Sequence, residues 1–240
     1  MKRIKALKAL SMLVLGLASA VSQAEMVRFD FTAHGTAVDF GNGAADDFPS
    51  GSASHLLSVG TTLSGHFFYD LSTPSIFYDT DSNGTYAGYA SPTHVGVTFT
   101  SSTGYKFEPN STAAFDPMAI ISDGIGGNAG AQDSIKVVAA QNLSPGVSQD
   151  IDITLTDKNN GKTWNSGALP PTLDLKDFDG TITFFWGDAQ NNTFTFNANI
   201  DTLTQVAAVP EPETYAMLLA GLALVGVAKR RQQKGQQAVV

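Results

Sequence analysis

The sequence contains no cysteine among its 240 residues, and this absence removes several kinds of chemistry at once. Disulfide bonds, thiolate metal sites and a cysteine nucleophile are all excluded. Charged residues are also few, at 15% of the chain, whereas Gly, Ser, Thr, Asn and Asp are frequent between short apolar runs. This composition is typical of strands joined by polar turns, so it predicts an all-β body that depends on its core alone for stability.

Basic residues are scarce in the middle of the chain. Residues 25–208 contain six Lys and Arg against twenty Asp and Glu, a net charge of −14, whereas the whole chain carries −8. Such a surface repels nucleic acid and anionic lipid, so we expect no DNA or RNA partner. Small cations, neutral sugars and basic surfaces are the partners that suit this charge.

The N-terminus has the order of residues found in a secretory signal peptide. Four basic residues precede the apolar run 9–18, and small residues follow as far as Ala24. The apolar run is too short to span a bilayer comfortably, and the cations ahead of it do not suit the alternative, a buried helix of the body. We expect export through the Sec machinery and cleavage by signal peptidase after Ala24, with Ala20 as the alternative position.

The C-terminus has three parts, in this order: the motif Pro210, Glu211 and Pro212, the uncharged segment 215–228, and the basic cluster Lys229, Arg230 and Arg231. The two prolines hold the motif extended, so it cannot join the helix that follows. As a helix, the fourteen residues of the uncharged segment reach about 21 Å, short of the roughly 30 Å hydrocarbon core, so the basic side chains must snorkel or the bilayer must thin. The positive-inside tendency predicts a cytoplasmic basic cluster and a body on the other side of the inner membrane.

With these three parts in place, the tail resembles the PEP-CTERM sorting signal of Gram-negative bacteria. The resemblance covers residues 209–231, and a polar trailer, 232–240, follows it. It implies recognition by an exosortase, a membrane-embedded cysteine transpeptidase-like enzyme, then loss of the tail and delivery to the cell surface or extracellular matrix. It also implies a setting of biofilm formation with exopolysaccharide as an expected partner. A membrane anchor that is never cut is the alternative.

The remaining residues, 25–208, have the length of one domain. Apolar and polar residues alternate in stretch after stretch, which indicates strands with one buried face. The residues predicted to face inward are Val27, Phe29, Phe31, Ala33, Leu63, Gly65, Phe67, Tyr69, Val95, Val97, Phe99, Ile151, Ile153, Leu155, Ile182, Phe184, Trp186, Phe194, Phe196, Ala198 and Ile200. Together they predict an antiparallel two-layer β-sandwich, with a jelly roll as one arrangement that fits. The composition of residues 35–54, 74–92 and 123–133 predicts long loops.

One segment of the body has the opening of a calcium-binding loop. In Asp79-Thr80-Asp81-Ser82-Asn83-Gly84, oxygen-bearing side chains alternate ahead of a glycine that permits a sharp turn. The twelfth position is Ala90, so the bidentate glutamate of an EF-hand is missing. Asp79, Asp81 and Asn83 are therefore weak calcium candidates, and a solvated turn is the alternative.

Two other clusters of the body have both a functional and a structural interpretation. Residues 174–180 contain three aspartates around Lys176, which either bind a cation or form a turn. Four aromatic residues crowd a second region, where they either stack on sugar rings or pack together: Phe77, Tyr78, Tyr86 and Tyr89.

Catalytic patterns are missing from the body. Nucleophile-elbow, phosphate-loop and dinucleotide motifs do not occur, and the four histidines have no metal-binding spacing. We therefore expect a non-catalytic structural or binding body without a cofactor. A secreted carbohydrate-active hydrolase, with aspartates as its acid and base, and a calcium-stabilised adhesin are the alternatives.

Overall fold

The computed structural model describes residues 26–81, 84–109, 115–124, 132–158, 163–164 and 166–206. These residues belong to one compact unit, Ala24–Ala207. The predicted signal peptide, the sorting signal with its membrane segment and the polar trailer lie outside the described residues.

Strands make up nearly all the regular structure of the described residues: β1 (Met26–Asn42), β2 (Thr62–Asp70), β3 (Phe77–Asp81), β4 (Gly84–Ala90), β5 (Val95–Ser101), β6 (Lys106–Phe107), β7 (Met118–Gly124), β8 (Ser134–Ser144), β9 (Val147–Asp157), β10 (Phe178–Gly187) and β11 (Thr193–Val206). The helical pieces are a 3-10 turn, Ala45–Asp47, and the single-turn helix α1, Ala53–Leu56.

The strands form one open antiparallel sheet in the order β3-β4-β7-β8-β9-β10-β11-β1-β2-β5-β6. Strand β5 also packs against β7 and β8, which are not its neighbours in the sheet. The sheet is therefore folded over on itself. The predicted all-β, antiparallel, sandwich-like fold is therefore confirmed. Its open edges are β3 and the two-residue strand β6.

The core occupies the inner face of the bent sheet, which we define as the face that carries the buried apolar side chains. The predicted alternation is confirmed, since the inward residues of β1, β9, β10 and β11 are all buried. Aromatic rings fill much of this space. Phe184 makes edge-on contacts with Phe99 and Phe107, at centroid distances of 5.9 and 6.0 Å.

Two of the predicted loops contain strands, so the loop prediction was wrong for those residues. Residues 35–42 continue β1, and Val38 and Phe40 pair there with Phe196 and Phe194 of β11. The polar residues and glycines of this extension give it the composition of a loop, although such residues are ordinary on a solvent-facing strand. Residues 77–90 likewise form the β3–β4 hairpin, and Asp81 and Gly84 close it as a pair.

Turns at residues 101–104 and 187–192 each join a pair of antiparallel neighbours. Asp188 organises the second turn by accepting hydrogen bonds from the backbone N–H groups of Gln190 and Asn192, both at 2.9 Å. This aspartate therefore has a structural role in connecting β10 to β11.

Candidate functional site

The sorting and processing residues lie outside the described residues: Ala24, Pro210, Glu211, Pro212, Lys229, Arg230 and Arg231. Within the part of the chain that is described, no helix has the length and apolar character needed to cross a membrane. The body does show where these segments attach. Arg28 near the start of β1 pairs with Val206 at the end of β11, so both segments join the body at the same end of neighbouring strands.

The predicted calcium residues lie on the β3–β4 hairpin. Asp79 and Asp81 share the outer face of β3, where both are exposed, and Asn83 lies outside the described residues. Among the described residues, no group of three His, Cys, Asp or Glu side chains is placed to hold a metal ion. Calcium binding at this turn stays a prediction.

The four crowded aromatic residues divide between the two faces of the same hairpin. Phe77 and Tyr86 stack on the outer face with ring centroids 5.2 Å apart. Tyr89 is buried on the inner face, where its hydroxyl donates to the carbonyl of Gly167 at 2.7 Å. Tyr78 lies at the rim and is 60% exposed. Packing therefore explains the position of Tyr89. The four rings do not form a single surface on which a sugar ring could stack.

Asp174 and Asp177 flank a turn, as one of the two interpretations predicted, and Asp179 lies on β10. The N–H of Asp177 donates to the carbonyl of Asp174 at 3.0 Å. The backbone N–H of Lys176 donates to the Asp174 carboxylate and, together with the Lys176 ammonium 2.9 Å away, lowers the pKa of that carboxyl. This turn borders an open groove of about 600 Å³ that is lined by the loop around Trp164 and Pro170.

A carboxylate pair on the outer face was missed by the sequence analysis. Asp150 and Asp152 follow each other on that face of β9, and Lys136 of β8 lies 2.5 Å from the Asp152 carboxylate. Burial raises the pKa of Asp150 to about 6, the Asp152 charge adds to the rise, and Lys136 opposes it. The alternation of Asp150 and Asp152 around Ile151 was the available signal. The pair lies on the outside of the sheet rather than in a cleft.

Three further aspartates face inward at one end of three adjacent strands. Asp123 lies one residue before the end of β7, Asp133 immediately precedes β8, and Asp157 ends β9. Asp133 is fully buried and accepts hydrogen bonds from the N–H groups of Gly124, Thr163 and Trp164, at 3.0, 2.8 and 2.6 Å. Burial and the Asp133 carboxylate raise the pKa of Asp123. Asp133 thus holds the end of β7 and the connection after β9 in place through these hydrogen bonds.

Asp70, at the end of β2, is also fully buried. Its Oδ1 accepts from the backbone N–H and the hydroxyl of Ser72, at 2.8 and 2.7 Å. Its Oδ2 and the hydroxyl of nearby Thr73 have no hydrogen-bond partner among the described residues. An ordered water is the usual partner for such a pair of buried groups.

A polar cavity of about 400 Å³ opens at the end of the sheet where β8 and β9 are joined. Gln141, Gln149 and Trp186 face it from one register of β8, β9 and β10. Gln149 is 1% exposed, and its side-chain nitrogen donates to Gln141 Oε1 at 2.7 Å while its oxygen accepts from the Tyr105 hydroxyl. Sequence analysis missed this site because an alternating strand pattern does not reveal a polar residue at an inward position.

The histidines serve local contacts. His34 lies 2.6 Å from Asp201, and His66 contacts the hydroxyl of Thr98 on the half-buried side of β2. Burial, with a smaller contribution from Arg28, lowers the pKa of His66. It lies on the side of β2 opposite the buried Phe67.

The comparison with protein families concerns the tail. The family described as the PEP-CTERM protein-sorting motif matches residues 208–232. No curated protein and no solved structure matches the chain. The matched residues contain the whole signal predicted at 209–231, including its proline motif and basic cluster. The C-terminal tail of the chain therefore carries a PEP-CTERM protein-sorting motif.

Proposed function

We propose that the chain is an exported precursor that an exosortase-type enzyme processes at its C-terminal motif. Signal peptidase removes residues 1–24 after Sec-dependent export, and segment 215–228 then holds the precursor in the inner membrane with the body in the periplasm. Removal of the tail delivers the body to the cell surface or the extracellular matrix. The single observation that carries this proposal is the sorting-motif match at residues 208–232.

The geometry of the body supports processing at both ends. Arg28 near the start of β1 pairs with Val206 at the end of β11, so the first and last described strands of the body have their outer ends side by side. Cleavage on either side removes none of the described strand pairs, because the described strands begin at Met26 and end at Val206.

The test is the intact mass of the protein recovered from the cell surface or the medium. We expect a mass that lacks residues 1–24 and the sorting tail. Replacing Pro210, Glu211 and Pro212 by alanine should leave the tail on the protein, and the protein should stay in the inner membrane. The matched control is Gln236→Ala with Gln237→Ala, which alters the same terminus beyond the matched residues. Full-length protein at the surface, unaffected by the alanine variant, would overturn the proposal.

We also propose that the body is a non-catalytic structural or binding module. The support is the position of Asp150, whose pKa is raised, because Asp150 and Asp152 lie on the outer face of a sheet and Lys136 is paired with Asp152. A hydrolase needs two carboxyl groups that converge on a bound substrate.

The raised pKa values of Asp150 and Asp123 are the observations that favour the hydrolase alternative. The recovered protein should release no reducing ends from neutral or acidic polysaccharides. Release of reducing ends by the natural protein, together with its loss in Asp150→Asn, would establish the alternative instead.

A further inference from the structure

The cavity at the β8–β9 end combines the volume of a small-molecule site with a buried, hydrogen-bonded polar floor. Its volume of about 400 Å³ is within the roughly 300–1,000 Å³ range of ligand pockets. Its floor is a relay of hydrogen bonds from the Tyr105 hydroxyl to Gln149 and from Gln149 to Gln141. Trp186 and Ala53 supply apolar wall, and Lys106 and Glu108 line the cavity as well.

The relay leaves hydrogen-bonding capacity unused. A glutamine side chain offers two N–H donors and two acceptor lone pairs, and among the described residues Gln149 uses one donor and one lone pair. Burying an amide with half of its capacity unused costs free energy unless water or a ligand supplies the missing partners. Gln141 is only half-buried, and its side-chain nitrogen is available to a molecule in the cavity.

The chemistry of the lining selects a class of ligand. Amides and a phenol present donors and acceptors together, which complements hydroxyl groups because each hydroxyl also does both. The one carboxylate and the one ammonium of the lining balance each other, and the net charge of −14 on residues 25–208 disfavours anions. A metal ion would find one carboxylate here, Glu108, and an apolar ligand would strip water from the amides without replacing its hydrogen bonds.

We propose that this cavity binds a neutral, hydroxyl-bearing ring of the size of one sugar residue. The amides of Gln141 and Gln149 form hydrogen bonds with the ring, and Trp186 packs beside it. This inference specifies the binding role proposed for the body and is independent of how the tail is processed.

The two tryptophans of the chain make the test site-specific. Trp186 lines this cavity, whereas Trp164 lines the groove bordered by the Asp174 turn. The full-length chain is labelled with ¹⁵N and purified in a detergent without a sugar headgroup, and Trp164→Phe assigns the two indole N–H signals. The probes are D-glucose, D-galactose and N-acetyl-D-glucosamine, with D-glucuronate as the anionic comparator.

We expect at least one neutral sugar to shift the Trp186 signal in a saturable manner, with about tenfold weaker binding of glucuronate. Gln141→Ala should weaken binding about tenfold, the effect of one lost hydrogen bond, without lowering the melting temperature much. Gln190→Ala, in an exposed turn, is the matched control and should bind as the natural chain does.

Three results would overturn the inference: a Trp186 signal that no neutral sugar moves, a shift confined to Trp164, or natural affinity in Gln141→Ala. Each is distinct from a failure of sorting, because the titration uses purified protein and the sorting test measures mass at the cell surface.

Discussion

Asp133 shows how one buried carboxylate can fix several stretches of backbone at once. Its two oxygens accept from Gly124 on one side and from Thr163 and Trp164 on the other. The N–H groups of these residues would otherwise need other partners at a crowded end of the sheet. The residue therefore stabilises the connections that follow β7 and β9.

We expect Asp133→Asn to lower the free energy of unfolding by about 2–4 kcal/mol, because an amide nitrogen would face N–H donors and the charge-assisted bonds would be lost. Urea unfolding of the full-length chain in detergent measures the change. Asp116→Asn, at an exposed position, is the control and should be neutral. Equal stability of the two variants would show that Asp133 does not hold these connections in place.

Asp150 makes stability depend on pH in the opposite direction from an ion-paired carboxylate. Its pKa is about 6 in the folded chain against 3.8 for an ordinary aspartate carboxyl, so the folded state binds the proton more tightly than the unfolded chain. The contribution of Asp150 to stability therefore falls as pH rises from about 4 to about 6, and the full cost applies above that range.

Asp150→Asn should consequently stabilise the protein at pH 7–8, by about 1 kcal/mol after allowance for solvent screening at this partly exposed group. The gain should disappear below about pH 4, where Asp150 is protonated in both states. Thermal unfolding at several pH values measures it, with Asp39→Asn, an exposed carboxyl on β1, as the control. A gain that does not vary with pH would contradict the assigned cause.

At the scale of the element, β2 depends on a residue that has no side chain. Gly65 pairs with Phe31 of β1 and Phe99 of β5, so an aromatic residue flanks it on each side. A Cβ at this position would lie 2.2 Å from the carbonyl oxygen of Thr98 and 2.7 Å from the Phe31 ring. Glycine lets these three strands approach while the rings fill the space above it.

Gly65→Ala should therefore destabilise the sheet by about 1–3 kcal/mol, the usual range for overpacking a core. The measurement is chemical unfolding. Ser64→Ala is the matched control because Ser64 is the exposed residue immediately before Gly65 on the same strand. No loss of stability in the glycine variant would mean that Phe31 and the β5 backbone move aside at little cost.

The β3–β4 hairpin gives the calcium prediction its test. If Asp79, Asp81 and Asn83 hold calcium, the ion should raise the melting temperature of the full-length chain and a chelator should lower it again. Asp79→Asn should abolish the response, and Asp46→Asn, another exposed aspartate, should retain it. A melting temperature that the chelator leaves unchanged would show that the segment is a simple turn.

For the whole molecule, the dominant electrostatic fact is the charge of −14 on residues 25–208. Ion pairs such as Lys136 with Asp152 are too few to offset the repulsion among twenty acidic residues. We expect the melting temperature to rise by roughly 2–4 °C when salt increases from 0.01 to 0.15 M, since the Debye length falls from about 30 to about 8 Å. Sodium and choline chloride should act alike, and a fall with salt would indicate that attractive pairs dominate.

Sequence predicts those parts of the molecule that depend on residues close to one another in the chain. The alternation of Val27, Phe29 and Phe31 defines a buried face within one strand, and the sorting tail is a run of adjacent residues. The extension of β1 beyond Gly35 depends instead on its register with β11. Likewise, the burial of Gln149 depends on neighbours from β8 and β10 that the chain brings together only on folding.

The pairing of β1 with β11 also fixes how the body responds to mechanical force. Because Arg28 and Val206 are partners in an antiparallel pair, opposed tension on the two termini would separate these strands one hydrogen bond at a time, as in a zipper, instead of shearing all of them together. A precursor tethered through both termini would thus be in its mechanically weak geometry. Release of one terminus would remove that load altogether.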